Sequence, residues 1–410
     1  MTRPRHSSET RPRARLGLAF VAAACVVLGG CTKNQLVTIA MDGAEHATSH
    51  HGMQVGGRMI LAGDMHCHIL PPDAPYHVSR ELPETIERAK AESLDFVVLT
   101  PHVPSRFFMD DEMRGWMLST QQQLRARIER LAPAPLVVIP GFEYTDRNYG
   151  HVGFGFADPT EVLAGLPTAD AQANPERFFE MWVARGGIMI INHPVNRPIP
   201  HAPFQELAAD LSWRAYRGGV VPPEIDWITT HAQGIETFNT SVTHLRDQFI
   251  VGEEDRSLRE ASHMLDRIAR HQKRRIAAVG GSDSHGAWLR ATTFVLAKER
   301  SAEGIRKAIT EARTCVRGPE ACTLQLRTLG GAWLGVGDSI TLPLTENGPP
   351  TLPFEARASG GDTSFVVNGE IVATARSEEV VTLALPADRC ATVRAVVGRS
   401  WSSSIYVNCL

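Results

Sequence analysis

The sequence lacks an excess of charge of either sign. Its 42 lysines and arginines nearly balance 45 aspartates and glutamates, and the formal net charge is -3. Bulk electrostatic attraction therefore gives no reason to expect a nucleic-acid partner. Internal repeats are also lacking. The chain has 410 residues, of which 43% are hydrophobic, so it can bury a large core and has room for about two domains.

An apolar run long enough for a comfortable membrane span is missing near the N-terminus. The segment LGLAFVAAACVVLGG has fifteen apolar or small residues and follows several arginines, as in a signal peptide. It ends at Leu28, Gly29, Gly30 and Cys31, which resembles a bacterial lipobox. We expect residues 1–31 to be a lipoprotein signal peptide and 32–59 a polar linker, with lipidation at Cys31 anchoring an exported protein in the periplasm or at the cell surface. A plain secretory signal and an uncleaved anchor are the alternatives.

Cysteine is scarce, and two of the seven cysteines, Cys25 and Cys31, fall in this leader. Export places the others in an oxidising compartment, where pairing is favoured. We predict one disulfide between Cys315 and Cys322 and another between Cys390 and Cys409. Cys67 is left over as a buried thiol. It is either a metal ligand or redox-sensitive group beside the site, or a small core residue that faces away from it.

What the sequence does contain is a series of metal-ligand side chains at the ends of short apolar runs. In the segment MHCHIL, a strand would place His66 and His68 on one face and Cys67 on the other. The full series has more nitrogen and carboxylate ligands than one ion uses, so we predict two or three divalent ions such as Zn, Mn or Fe. Its members are His66, His68, Asp73, His102, Glu143, His151, His193, Asp283 and His285.

The remaining polar candidates are assigned simpler roles. We interpret six other histidines as surface residues, namely His46, His50, His51, His244, His263 and His271. Glu236 and Asn239 lie in a strand-like run, and we expect them to support the ligands rather than bind metal.

Helical and strand-like patterns alternate over residues 60–325, as a βα barrel requires. An insertion at about residues 196–230 is either a lid over the metals or a loop that packs on its own small core. From residue 326 the helical pattern gives way to short alternating runs between turn residues. We therefore predict an α/β barrel followed by a small β-sandwich over residues 326–410.

The ligand motifs carry a resemblance. In order, HCH with Asp73 five residues on, LTPH, PGFE, GHVGFG, INHP and GSDSH resemble the PHP (polymerase and histidinol phosphatase) metallohydrolases. The segments ARTCVRGP and WSSSIYV resemble the carbaryl-hydrolase-like (CehA/McbA) branch. The resemblance implies a distorted (β/α)7 PHP-type barrel with a trinuclear site at the carboxyl ends of its strands. This chain has Pro101 where the family usually has an aspartate, so that carboxylate is lost or supplied elsewhere.

Such a site is typical of a hydrolase, because clustered divalent ions generate hydroxide from a bridging water near neutral pH. We expect an exported enzyme that cleaves a phosphoester in this way. Hydrolysis of a carbamate or carboxylic ester, and a non-catalytic metal-binding surface lipoprotein, are the alternatives. A phosphate substrate requires cationic side chains, and Arg290 and Arg106 are the candidates. The sequence identifies no protein side chain that acts directly in catalysis.

Overall fold

The computed structural model describes residues 50–410 apart from 76–77, 132, 199–209, 211, 214–220, 243–251, 287, 291 and 343–349. The predicted signal peptide, Cys31, most of the linker, His46, His244 and much of the insertion lie outside the described residues. Within them, no helix is both long and apolar enough to cross a membrane.

The described residues up to 316 form ten strands. They are β1 (Gln54–Val55), β2 (Arg58–Cys67), β3 (Phe96–Leu99), β4 (Val137–Asp146), β5 (Gly150–Gly155), β6 (Ile188–Ile191), β7 (Gly234–Asn239), β8 (Ala277–Gly281), β9 (Thr293–Ala297) and β10 (Thr314–Val316). The α-helices within the described part of the chain are α1 (Leu82–Ala91), α2 (Asp111–Leu131), α3 (Pro159–Ala164), α4 (Thr168–Ala173), α5 (Glu176–Ala184), α6 (Trp227–His231), α7 (Glu253–Gln272) and α8 (Ala302–Thr310).

The strands β2 to β8 are neighbours in sequence order in one large sheet. Four of the six pairs are parallel, whereas β4 pairs with β5 and β5 with β6 in antiparallel fashion. A parallel bridge between Cys67 and Ser284 joins the end of β2 to the segment after β8. The mixed α/β architecture with a largely parallel sheet is as predicted, and the carboxyl ends of β2 and β8 come together.

The β4–β5 hairpin interrupts the βα alternation for a local reason. The Asp146 carboxylate accepts hydrogen bonds from the backbone N–H groups of Asn148, at 2.6 Å, and Tyr149, at 2.8 Å. Gly150 then adopts a φ of 74°, in the left-handed region that favours glycine. This turn reverses the chain within a few residues, so β5 returns beside β4 without a helix between them.

The region after residue 324 is rich in strands, as predicted. Its strands are β11 (Gln325–Thr328), β12 (Leu334–Gly335), β13 (Ser339–Ile340), β14 (Thr351–Arg357), β15 (Thr363–Val367), β16 (Glu370–Ala375), β17 (Val381–Pro386), β18 (Ala391–Val397), β19 (Ser400–Ser402) and β20 (Ile405–Val407). One sheet has the order β12-β11-β14-β17, while the other is continuous with the large sheet because β19 pairs with β10.

The C-terminal strands share a hydrophobic core with the large sheet. Phe354 and Phe365 from the C-terminal strands belong to the same buried cluster as Ile60 of β2 and Phe294 and Leu296 of β9. The apolar face of the C-terminal region is thus covered in part by β9 and by β2, the strand that leads to His66 and His68.

The predicted disulfides Cys315–Cys322 and Cys390–Cys409 are present, and Cys67 is a buried free thiol. One histidine prediction is wrong: His50 is buried, only 4% exposed, and its Nε2 lies 2.7 Å from Asp95 Oδ2. The polar sequence around His50 concealed this partner, which lies 45 residues further along the chain. His51 and His271 are exposed and His263 is half-buried.

Candidate metal centre

The end of β2 places two imidazoles side by side. His66 and His68 are both buried, and their Nε2 atoms lie 3.2 Å apart. Cys67 lies between them in sequence but points away from the two imidazoles, and its Sγ accepts a hydrogen bond from Arg80 at 3.0 Å. The predicted alternation of side chains along this strand is therefore confirmed.

The Glu143 carboxylate, on β4, lies at the centre of the cluster and is 2% exposed. Its backbone N–H donates to the Pro101 carbonyl and its carbonyl accepts from the Val103 N–H, which fixes the register of the segment that carries His102. The carboxylate oxygens approach ring nitrogens of His66 (3.4 Å), His68 (3.7 Å), His102 (3.5 Å), His151 (3.1 Å) and His193 (3.5 Å).

The Asp73 carboxylate contacts both His68, which directly follows β2, and His102. Its Oδ2 lies 3.2 Å from His68 Nδ1, and its Oδ1 lies 2.9 Å from His102 Nδ1. The same Oδ1 accepts a hydrogen bond from the backbone N–H of His102 at 3.0 Å. His102 therefore has a carboxylate partner although Pro101 supplies none.

The segment after β8 completes the cluster. Asp283 has a φ of 49°, and its Oδ1 lies 3.5 Å from His66 Nε2 and 3.3 Å from His68 Nε2. His285 Nδ1 lies 3.5 Å from the same oxygen. A Cβ at Gly281 would collide with the Glu236 carboxylate and with His66, so only glycine permits this approach.

All nine predicted ligand residues therefore lie in one cluster. Donor atoms of seven of them form three overlapping groups, each within 4.8 Å: His66, His68 and Glu143; His68, His102 and His285; and Glu143, His151 and His193. Asp73 and Asp283 join the cluster through their contacts with His68. Ligand atoms on opposite sides of one zinc-sized ion lie about 4 Å apart, since each metal bond is about 2 Å. The donor set and its spacing fit divalent metal ions.

The electrostatics also favour bound cations. Burial alone would lower the pKa of His66, but Asp283 and Glu143 raise it well above its ordinary value. Burial likewise opposes the charged form of His68, yet hydrogen bonds to Asp283 and Asp73 raise its pKa to about 9. Burial would raise the pKa of Glu143, but His66 and the neighbouring histidines hold it well below its usual range. A cluster that stabilises positive charge on its imidazoles also attracts metal cations.

Residues around the ligands fix their orientation. Glu236 Oε1 lies 3.2 Å from His66 Nδ1, and Glu236 Oε2 accepts a hydrogen bond from the His193 N–H at 2.6 Å. Asn239 Nδ2 donates to Glu236, at 3.1 Å, and to Asp283, at 3.2 Å. The supporting role predicted for Glu236 and Asn239 agrees with these contacts.

Sequence reasoning missed three further supporting residues. Asn192 Nδ2 donates to Glu143 Oε1 at 2.9 Å. Asp64, fully buried, accepts from the N–H groups of His66 and Ser282, and burial raises its pKa to about 6. Asn192 directly precedes His193 in a strand-end segment, and that position was the available signal. Asp64 shares the alternating face of β2 with His66 and His68.

Arg80 is the third of these supporting residues, and its guanidinium is buried at 3% exposure. It donates to Cys67 Sγ, to Ser284 Oγ at 2.9 Å, to the Trp288 carbonyl at 2.7 Å and to the Gly286 carbonyl. Burial raises the pKa of the Cys67 thiol to about 12. Cys67 is thus a protonated core residue that faces away from the ligands, as one of its two interpretations predicted.

The two candidate substrate arginines are engaged in ion pairs. Arg290 is buried, with Nη1 3.1 Å from Glu92 Oε1. Arg106 is more exposed, and its Nε lies 3.3 Å from Asp146 Oδ2 at the end of β4. Arg106 is therefore near the segment that follows Glu143, and a role in substrate binding for either arginine stays a prediction.

A second group of possible ligands lies outside this centre and comprises His50, His51 and Asp95. The Asp95 oxygens are already engaged: Oδ2 with His50 and the Ala62 N–H, and Oδ1 with Arg300 at 2.8 Å. A guanidinium on the carboxylate disfavours a cation there. We interpret this group as a structural contact between the start of the described chain and β2.

No protein-family model and no curated protein matches the chain. Among solved structures, it is similar to a two-domain protein of Bacteroides vulgatus that contains a predicted PHP-like metal-dependent phosphoesterase, with 18% identity and a TM-score of 0.43 over 88% of this chain and 100% of the other. PsfC of Pseudomonas syringae has 15% identity and a TM-score of 0.35, over 61% of this chain and 87% of its own.

The lesion-specific endonuclease PfuEndoQ of Pyrococcus furiosus is also similar, with 14% identity and a TM-score of 0.32, over 62% of this chain and 56% of that chain. Likenesses this distant do not place the chain in a family.

Proposed function

We propose that the protein is a metal-dependent hydrolase that cleaves a phosphoester. The observation that carries this proposal is the convergence of six histidines and three carboxylates from several strand ends on one cluster, five of whose members are buried. Burying three carboxylates together is unfavourable unless cations compensate them. The three overlapping ligand groups support two or three divalent ions, as the sequence predicts.

The chain's own residues define how the site works. When bound, divalent ions would polarise the scissile bond and make water nucleophilic near neutral pH. Asp73 holds His102 Nδ1, so that Nε2 points toward Glu143. The side chains of His102 and His285 are 34% and 24% exposed, whereas that of His66 is 1% exposed. His102 and His285 therefore lie on a more solvent-exposed side of the cluster than His66.

Two alternatives remain. Hydrolysis of a carbamate or carboxylic ester is supported by the ion pairs of Arg290 and Arg106, which leave neither dedicated to a phosphate. A non-catalytic metal-binding protein is supported by Pro101, because the family that this chain resembles usually has a carboxylate at that position. The contact between Asp73 and His102 argues for the enzyme, since it supplies a carboxylate at this position.

We further propose that the protein is exported and held at a bacterial membrane through a lipid on Cys31. The two disulfides support export, because such bonds persist in oxidising compartments. Incorporation of labelled fatty acid, and its loss in Cys31→Ser, would test the anchor.

The hydrolase proposal is tested on the chain without residues 1–31. Elemental analysis should find two or three metals per chain, and p-nitrophenyl phosphate, bis-p-nitrophenyl phosphate and a naphthyl carbamate together report the bond class. We expect turnover of a phosphate substrate. His66→Ala and Asp283→Ala should each reduce it by more than the roughly 10–100-fold that loss of a supporting residue costs.

His271→Ala is the matched control, because His271 is an exposed histidine on α7. It should retain full metal content and activity. A metal-replete protein that hydrolyses only the carbamate would support the first alternative, and one that hydrolyses nothing would support the second. Less than one metal per chain after reconstitution would contradict the metal centre itself.

A further inference from the structure

A cavity of about 460 Å³ lies between α7 and the segment that directly follows the candidate ligand His193. Pro194 and Val195 line it directly after this ligand. Arg197, also in the lining, is four residues beyond His193, so their Cα atoms are within about 14 Å. One short stretch of chain therefore connects the metal centre to the cavity.

The opposite wall is a stripe along one face of α7. Arg256, Arg259, His263 and Arg267 all line the cavity. They are three or four residues apart, a spacing that places side chains on the same face of a helix. The other face of α7 is buried, with Leu265 in the main core. The basic face of α7 therefore lines the cavity, and its apolar face packs into the hydrophobic core.

Positively charged side chains outnumber negatively charged ones in the described lining of the cavity. Among the described lining residues there are four arginines and one carboxylate, Glu260. Arg197 Nη2 lies 2.5 Å from Glu260, and Arg267 Nε lies 2.6 Å from Glu224 outside the lining. Among the described residues, no carboxylate forms an ion pair with Arg259. Positive charge concentrated in a concave site raises the local concentration of anions.

We propose that this cavity, the arginine cleft, binds a second anionic group of the substrate, a phosphate or carboxylate remote from the bond that is cleaved. The inference rests on the proposed hydrolase function, which it deepens by naming the substrate class as a doubly anionic ester. The planar guanidinium of arginine can donate two parallel hydrogen bonds to phosphate or carboxylate oxygens. The lining of the cleft includes Pro194, which directly follows the candidate metal ligand His193. The reacting group at the metals and the distant anion in the cleft then fix the substrate at two points.

The test compares three phosphomonoesters on the metal-loaded protein: pentyl phosphate, pentane phosphorylated at both ends, and pentyl phosphate with a carboxylate at its far end. We expect KM for at least one doubly anionic ester to be about tenfold lower than for pentyl phosphate, since charge-assisted hydrogen bonds give about this factor. Whichever ester gains more identifies the preferred anion.

The Arg256→Gln/Arg259→Gln variant should remove that advantage and leave kcat, and KM for pentyl phosphate, unchanged. Arg259→Lys should retain part of it, because the charge remains. Arg130→Gln, which removes one positive charge at an exposed position on α2, is the control and should behave as wild type. Equal KM values for all three esters in wild type, or an equal loss for all three in the double variant, would overturn the proposal.

Calorimetry separates failure of the cleft from failure of the hydrolase. If the metal-loaded protein turns over none of the esters, the proposed function fails, and binding of the same compounds decides the cleft. Tighter binding of a doubly anionic ester in wild type, lost in Arg256→Gln/Arg259→Gln, would support the cleft without catalysis. Binding of all three with the same Kd would overturn it.

Discussion

At the scale of single residues, Arg80 connects two segments that carry candidate metal ligands. Its guanidinium donates both to Cys67, between the two β2 histidines, and to Ser284, between Asp283 and His285. These segments lie at the end of β2 and just after β8, the first and last strands of the run from β2 to β8. Arg80 therefore holds both segments of candidate ligands in position.

We predict that Arg80→Lys weakens metal binding by about 10–100-fold, the range expected when a residue that orients ligands is lost. A lysine keeps the charge but lacks the planar fork, so buried carbonyl groups lose donors. Competition with a chromophoric chelator measures the affinity. Arg88→Lys on the same helix is the control, because Arg88 is 44% exposed. Unchanged competition curves for Arg80→Lys would show that the ligand segments hold their places without it.

Asp95 permits a second test, remote from the metal centre. Burial alone would raise the pKa of its carboxyl, but hydrogen bonds from His50 and the Ala62 N–H lower it below its ordinary value of 3.8. A group whose pKa is lower in the folded state contributes stability above its unfolded pKa and loses it as pH falls through the folded pKa.

Asp95→Asn should therefore be less stable than wild type near neutral pH, by about 1.5–3 kcal/mol, the value of hydrogen bonds to a charged group. The difference should shrink as the pH falls below about 3.8. Urea unfolding of both proteins across that pH range measures it. A difference that is constant with pH would contradict the role assigned to the ionised carboxylate.

The ligands were predictable from sequence, whereas the residues that hold them were not. Paired ligands such as His66 and His68 have a strand period of two, and the others follow apolar runs. Arg80 lies just before the charged helix α1, and the sequence around it is typical of an exposed arginine. His50 lies in a polar segment, so its contact with Asp95 depends on a long-range approach that local sequence does not encode.

At the scale of elements, α7 has two functions. One face lines the arginine cleft, and Asp266 on another face is buried against Arg394 of β18. Arg394 Nη2 lies 2.6 Å from Asp266 Oδ2, and its Nε is within 3.1 Å of both carboxylate oxygens. This ion pair fixes the helix against the C-terminal strands and with it the orientation of the basic stripe.

Asp266→Asn is expected to lower the free energy of unfolding by about 3–5 kcal/mol, because it leaves a buried guanidinium without its counter-charge. Chemical denaturation measures the loss. Asp255→Asn on the same helix is the control: Asp255 is 63% exposed and pairs with Arg317, so we expect a change of about 1 kcal/mol or less. Equal effects of the two substitutions would show that the Asp266 pair is no stronger than a surface pair.

The alternation of helices and strands was predictable at this scale, but the strand pairing was not. The apolar runs that became β4 and β5 are visible in the sequence, as is the turn-forming stretch around Asp146. No local sequence pattern predicts that β5 pairs antiparallel with both β4 and β6. Pairing depends on which edges remain open once the rest of the sheet has formed.

At the scale of the whole molecule, the C-terminal region is bonded to the strand that leads into the metal centre. Ser403 Oγ accepts from the Ala278 N–H at 2.8 Å, and Tyr406 Oη accepts from the Ile276 N–H at 3.1 Å. Ala278 belongs to β8, and Asp283 follows two residues after that strand ends. The position of this ligand therefore depends in part on residues more than a hundred positions away.

A chain that ends at Leu324 should consequently fail to fold into a soluble, metal-binding protein. Truncation would expose Ile60, Phe294 and Leu296, whose partners in the shared core are C-terminal, and would leave β10 without its neighbour β19. An apolar surface next to an open strand edge promotes aggregation. Soluble yield and metal content of chains 50–324 and 50–410, expressed in parallel, measure the effect. A soluble chain 50–324 with full metal content would show that the ligand strands fold independently. The C-terminal region would then be an accessory to the large sheet rather than part of the scaffold of the metal centre.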